Sequence, residues 1–124
     1  MKKLASFLPA LVFYALIFLA SSRSLGFEMP GHGMDKIPHA LVYTVMGFLL
    51  SLGFFAAVPS SPLLTAVLVF LSGTLLGVLD EFHQEFVVGR VSDPRDAAAD
   101  AVGVALGIAV YWYWRRNKKR RPAA

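Results

Sequence analysis

Four runs of apolar residues, each approaching the roughly 20 positions that a helix needs to cross a bilayer core, alternate along the chain with short polar stretches. The first, "LASFLPALVFYALIFLASS", covers residues 4–22, and the second, "PHALVYTVMGFLLSLGFFAAV", covers 38–58 and stops at the turn-forming "PSSP". The third opens at Leu63 and stays apolar to Leu79. It is expected to remain helical to residue 88, because no Gly or Pro precedes Gly89 and because Phe82 and Phe86 keep an apolar stripe at i,i+4. The fourth, "AAADAVGVALGIAVYWYW", covers 97–114, and its Tyr/Trp cluster gives way to a basic tail, 115–124, as at a helix leaving the membrane through an aromatic belt. The pattern predicts one all-α integral membrane domain, residues 1–124, with four transmembrane helices in an antiparallel bundle.

Composition agrees with that pattern. The 124 residues are 56% hydrophobic and 16% charged, with a mean hydropathy of +0.60, more apolar weight than a soluble domain of this length carries. The cysteine count is 0. Disulfides, thiolate metal sites and cysteine nucleophiles are therefore excluded, and any chemistry falls to His, carboxylates, hydroxyls or Arg. Of 12 Lys and Arg residues, two lie at Lys2 and Lys3 and six between Arg115 and Arg121. By the positive-inside rule both termini are expected in the cytoplasm. The basic tail reads as a topology signal that touches anionic lipid; no nucleic-acid partner is expected. "MKK" before an apolar run and the small residues Ala20, Ser21 and Ser22 also fit a cleaved signal peptide, but the run is long for one, so a retained helix is expected.

Six of the eight acidic residues crowd into "LDEFHQEFVVGRVSDPRDAAAD", Leu79 to Asp100. With both ends inside, this segment and the first connection face each other on the extracytoplasmic side. Asp35, His39 and Tyr43 follow at i, i+4 and i+8 and share a helix face, although Asp35 is equally well read as an N-cap. Two GxxxG patterns, Gly73/Gly77 and Gly103/Gly107, permit close helix approach. Packed glycine face to glycine face, the third and fourth helices would bring Asp80 and Gln84 alongside Asp96 and Asp100.

These residues resemble a known family. "DKIPHALVYTVMGFLL" is similar to the D-K-x-x-H-x-x-x-Y-x-x-x-G element of VanZ-like membrane proteins, and "DEFHQEFVVGRVSDPRDAAADAVG" to their second element, D/E-E-x-x-Q-x-x-x-x-G-R-x-x-D-x-x-D before a small-residue helix. The resemblance implies site roles for Asp35, Lys36, His39, Tyr43, Glu81, Gln84, Arg90, Asp93 and Asp96. The family pattern often has Asn where this chain has Asp100, which adds a negative charge. The namesake is linked to resistance to the glycopeptide teicoplanin, so the resemblance implies a bacterial cell-envelope setting.

Three kinds of function fit the cluster differently. A binding module would use Arg90 and Lys36 for a phosphate or carboxylate headgroup, with Asp80, Glu81, Gln84, Asp93, Asp96 and Asp100 orienting them or contacting sugar and amine groups. A membrane-embedded hydrolase or transferase would use His39, Glu81 and Asp96 as catalytic groups. A transporter would need acids deeper in the bilayer, or a homo-oligomer, because all the acids gather at one end. The bland alternative is an ion-pair network among these acids and Lys36, Arg90 and Arg95. A metal held by His39, His83 and a carboxylate is disfavoured, since His83 and Glu81 lie on different faces of a straight helix; His83 and His32 read as interfacial histidines, and neither metal nor cofactor is expected. "DEFH" has the letters of a helicase box but no Walker loop precedes it. The expected protein is thus a multi-pass cell-membrane protein whose extracytoplasmic-side polar pocket binds or processes an envelope lipid or glycan intermediate.

Overall fold

The computed structural model describes residues 2–23 and 36–120. Asp35, His32 and the rest of the first connection lie outside the described residues, as does the end of the basic tail. The described chain forms helices and no strand: α1 (Lys2–Ala5), α2 (Leu8–Ser21), α3 (Lys36–Ala57), α4 (Pro62–Gln84) and α5 (Pro94–Arg120). Four helical segments, Lys3–Ser21, α3, α4 and α5, are long and apolar enough to cross a membrane.

The first expected helix is interrupted. Pro9 is the cause, because in a continuous helix its ring would meet the carbonyl of Ala5; the chain turns at residues 6 and 7 and restarts with Pro9 in the first turn of α2. The third helix ends at Gln84, before the expected residue 88. The amide N–H groups of Phe86 and Val87 donate to the carbonyls of His83 and Gln84, both at 3.1 Å, and Gly89 takes a left-handed φ of 82°. This turn sends the chain back so that Ser92 and Asp93 reach Glu81. The fourth helix is longer than expected at both ends. Asp93 caps it, its Oδ1 accepting the Arg95 N–H at 2.9 Å with Pro94 in the first turn, and Lys118, Lys119 and Arg120 occupy the last turn, where cations suit the unpaired carbonyls.

Consecutive spans alternate in direction, so α3 and α5 run parallel, and these two form the tightest pair. The glycines explain the closeness and correct one expectation. A Cβ on Gly103 would strike the backbone of Ala40 and Thr44 in α3, one on Gly107 would strike that of Thr44, Gly47 and Phe48, and one on Gly47 would strike Val104. The α5 glycines therefore seat α3, not the glycines of α4. Gly73 and Gly77 of α4 instead leave room for the side chains of Val104 and Asp100. The physical reason is that a small-residue stripe accepts any helix with a matching low ridge, and Ala40, Thr44 and Gly47 give α3 such a ridge.

The bundle places apolar side chains outward. Leu11, Leu63, Leu71, Leu75 and Leu106 are exposed, while Ser51, Thr65 and several charged groups are buried. In hydrocarbon this is the stable arrangement where buried hydroxyls find acceptors, as those of Ser51 and Thr65 do and those of Tyr43 and Thr74 do not. Ser51 donates to the Gly47 carbonyl at 2.7 Å and Thr65 to those of Val58 and Ser61 at 2.6 and 2.8 Å. At one end of the bundle Lys3 reaches the Ala57 carbonyl (3.5 Å), Phe55 stacks on Tyr111 (4.9 Å between centroids) and the Arg115 guanidinium lies 5.3 Å from the Phe55 ring centre. Among the described residues, the acidic side chains gather at the opposite end.

Candidate functional site

Four helix ends meet there, and the polar residues near the ends of the apolar runs converge as a result. The first turns of α3 supply Lys36, His39 and Tyr43; the last turns of α4 supply Asp80, Glu81 and Gln84; the first turns of α5 supply Asp96 and Asp100. Ser21 closes α2, and the loop between α4 and α5 adds Arg90, Ser92 and Asp93.

Two groups of contacts can be separated. In the first, Asp80 accepts the Ser21 hydroxyl at 2.6 Å through Oδ1 and the Gln84 amide at 3.1 Å through Oδ2. Both oxygens of this buried carboxylate are thus occupied, and α2 is tied to α4. In the second, His39 stands between three carboxylates from two other helices. Its Nδ1 lies 3.0 Å from Asp100 Oδ1 and 3.9 Å from Glu81 Oε1, and its Nε2 lies 3.8 Å from Asp96 Oδ2. Glu81 also accepts the Asp93 backbone N–H at 3.1 Å, which pins the loop to α4.

Lys36 bridges the rim, with Nζ 2.9 Å from Asp93 Oδ2 and 2.6 Å from Asp96 Oδ1. The Lys36 hydrogen bond, helped by the Arg95 backbone N–H, holds the Asp93 carboxyl below its ordinary pKa. The three-cation network anticipated from the charges does not form among the described residues, where Lys36 bridges two aspartates while no ion pair joins Arg90 or Arg95 to a carboxylate. Arg90 instead faces a cavity, and its buried Nε has no hydrogen-bond partner.

That cavity, about 370 Å³, has two kinds of wall. Phe13, Leu16, Ile17 and Ala20 of α2 and Val42 of α3 form an apolar side, of which Leu16 and Val42 are exposed at the surface. Ser21, His39, Tyr43, Asp80, Gln84 and Arg90 form the polar end. The Tyr43 hydroxyl is buried without a hydrogen-bond partner.

Most of the sequence candidates share one end of the bundle, but they divide between two neighbouring places. Tyr43, Asp80, Gln84 and Arg90 line the cavity, Lys36, Glu81, Asp93, Asp96 and Asp100 stand beside it, and His39 belongs to both. His83 is apart from both: its ring stacks on Phe18 with centroids 4.2 Å apart, and its Nε2 is 3.0 Å from the Ser22 hydroxyl. Sequence reasoning missed Ser21, Ser92 and the α2 wall. Ser21 carried the faint signal of a hydroxyl ending an apolar helix, and the wall none, because lipid-facing and cavity-facing leucines look alike.

A family model described as VanZ/LLP1 matches residues 1–115. No curated protein and no solved structure matches the chain. The motif carried by α3 and by the α4 to α5 turn falls inside the matched region, and with four helices capable of spanning a bilayer the chain is a multi-pass membrane protein that belongs to the VanZ/LLP1 family.

Proposed function

We propose that the protein binds an amphiphile with an anionic headgroup, an envelope lipid or lipid-linked glycan intermediate, at the extracytoplasmic side of the cell membrane. The observation that carries this reading is Arg90: its Nε is buried and unpartnered at the polar end of a cavity whose other wall is apolar. A buried N–H without an acceptor is costly, and an anionic oxygen would satisfy it with a charge-assisted bond. Gln84 and Tyr43 on the same polar end offer hydrogen bonds to sugar or ester groups, while Leu16 and Val42 meet the first methylenes of a chain that continues into the bilayer. A volume of about 370 Å³ suits a headgroup and chain root, not a whole lipid. The extracytoplasmic placement rests on the Lys and Arg count at the opposite end of the bundle. Lipid extract passed over the immobilised protein, followed by mass spectrometry, tests the reading: the native chain retains an anionic species that Arg90→Ala does not. Retention of the same species by both would remove the support of Arg90. A part in teicoplanin resistance would follow only for an envelope ligand, and drug susceptibility with and without the protein measures it.

A second reading, a membrane-embedded hydrolase or transferase, is favoured by the convergence of His39, Glu81 and Asp96 beside that cavity. An imidazole oriented by Asp100 next to two further carboxylates is a proton-handling group. Glu81→Gln keeps the shape and removes the base, so an enzyme would bind its ligand and fail to convert it; unchanged bound species in native and variant protein would leave the binding reading alone.

A further inference from the structure

We propose that His39, Glu81 and Asp96 bind one divalent first-row metal ion, Zn²⁺ or Mn²⁺, with Asp100 as the residue that orients His39. The three side chains come from α3, α4 and α5, and each offers a ligand atom such that all lie within 4.8 Å of one another. This set differs from the His39 and His83 pair that sequence spacing suggested weighing, since His83 is engaged with Ser22 and Phe18.

Three features point to a cation. The first is the direction of His39. With Asp100 ionised and therefore only accepting, the Nδ1 that lies 3.0 Å from its Oδ1 would carry the ring proton and leave the Nε2 lone pair for a ligand bond. Asp100 is fully buried, which fixes that orientation. The second is Asp96. Its side chain is 8% exposed, and its two oxygens are not used alike. Oδ1 has an ion contact with Lys36, and Oδ2 is aimed at His39 Nε2 from 3.8 Å, too far for a hydrogen bond. Two ligand atoms at about 2.0 to 2.2 Å from a shared tetrahedral ion stand roughly 3.4 Å apart, so the gap between Asp96 and His39 Nε2 has to close by only a few tenths of an ångström, whereas Glu81, whose Oε1 lies 3.9 Å from Nδ1, has to turn toward Nε2 to complete the site. The third is charge: Asp80, Glu81, Asp93, Asp96 and Asp100 surround the place, against the cations Lys36, Arg90 and Arg95.

The donor set selects the metal class. One imidazole with two carboxylates, and no thiolate in the chain, suits Zn²⁺ or Mn²⁺ better than Mg²⁺, which prefers oxygen and water. The rival occupant is a proton: an imidazolium at His39 would satisfy the same three carboxylates. The metal ligands include neither Arg90 nor any residue of the apolar wall, so metal binding and amphiphile binding can fail separately.

The test uses the full chain in detergent, stripped with EDTA, loaded with ZnCl₂, MnCl₂ or MgCl₂, desalted, and assayed for metal content and melting temperature. The native chain and His83→Ala should each retain about one Zn²⁺ or Mn²⁺ and melt higher with the metal. His39→Gln and Asp96→Asn should lose the retained metal and the metal-dependent rise while melting as cooperatively as the native chain in EDTA. Asp100→Asn should bind roughly tenfold to a hundredfold more weakly, as loss of an orienting carboxylate does elsewhere. If the ligand variants do not fold, X-ray absorption of the Zn²⁺-loaded native chain decides, imidazole in the coordination shell supporting the site and its absence overturning it. No metal retained by the native chain would assign the cluster to a protonated His39. Retention undiminished in His39→Gln, or Mg²⁺ held as well as Zn²⁺, would reduce it to a diffuse acidic patch. Each of these results overturns the proposal.

Discussion

His39 Nδ1 lies 3.0 Å from Asp100 Oδ1, and this contact joins the first turn of α3 to α5. Asp100 is wholly buried, and its second oxygen, Oδ2, has no hydrogen-bond partner. Half of the carboxylate is thus committed to the imidazole, and half is held in the space that Gly77 leaves.

The pair makes a stability prediction. Asp100→Ala deletes the acceptor of a buried ring N–H and should cost about 1 to 3 kcal/mol. Asp100→Asn retains an acceptor oxygen and removes a buried charge, so it should fall well short of that loss. Chemical or thermal unfolding in detergent compares the two; equal losses would mean that the charge, not the hydrogen bond, holds His39.

The glycine seam can be read in the same way. At Gly103 an added Cβ meets the Ala40 carbonyl and the Thr44 nitrogen, which are backbone and cannot move aside, whereas at Gly53 it meets the ring of Phe7, which can. Gly103→Ala should therefore destabilise by about 1 to 3 kcal/mol, and Gly53→Ala by less. Equal melting temperatures for native protein and Gly103→Ala would contradict the close approach of α3 and α5.

The four spans were legible in the sequence because hydropathy responds to length and composition alone, which are what a bilayer selects. That acidic residues would gather at one end of the bundle was legible for a related reason: charge at the ends of apolar helices is costly, so Asp80, Glu81 and Asp100 stood out, while Asp96 was singled out by the family resemblance. Which helix the α5 glycines would seat was not legible. Gly103 and Gly107 specify a smooth face but not its partner, and the complementary ridge of Ala40 and Thr44 in α3 contains no motif that a reader of the chain would single out. The end of α4 falls short of residue 88 for the opposite reason: the apolar pair Phe82 and Phe86 continues the helical period, but hydrogen bonds from Ser92 and Asp93 to Glu81 draw the chain back.

Asp93 gives a pH prediction whose sign is fixed by its lowered pKa. A carboxyl with a folded value below its unfolded value of about 3.9 contributes in full above that value and loses its contribution as the pH falls through the folded one. The gap in melting temperature between native protein and Asp93→Asn should therefore be widest near neutrality and close in acid below about pH 3.9. The effect is small, since the pair with Lys36 lies at the rim. A gap that persists unchanged into acid would attribute it to the cap on α5.

Orientation is tested by labelling. The chain has 0 native cysteines, so single cysteines report cleanly. Val91→Cys, in the exposed loop beside the site, should react with a membrane-impermeant thiol reagent in intact cells, and Ser60→Cys and Asn117→Cys, at the other end, should not. The reverse pattern would place the cavity on the cytoplasmic side.

The central claim is that Arg90 recognises an anionic headgroup, and Arg90→Lys tests it most directly because lysine returns the charge without the planar fork. The measurement is paired: melting temperature in detergent, and the amount of co-purifying anionic lipid. With a recognising Arg90, the lysine variant melts like the native chain and holds the lipid roughly tenfold more weakly, as the loss of one charge-assisted bond of about 1.5 kcal/mol or more dictates. An Arg90→Lys protein that is as stable as the native chain and carries the same lipid in the same amount would contradict the account.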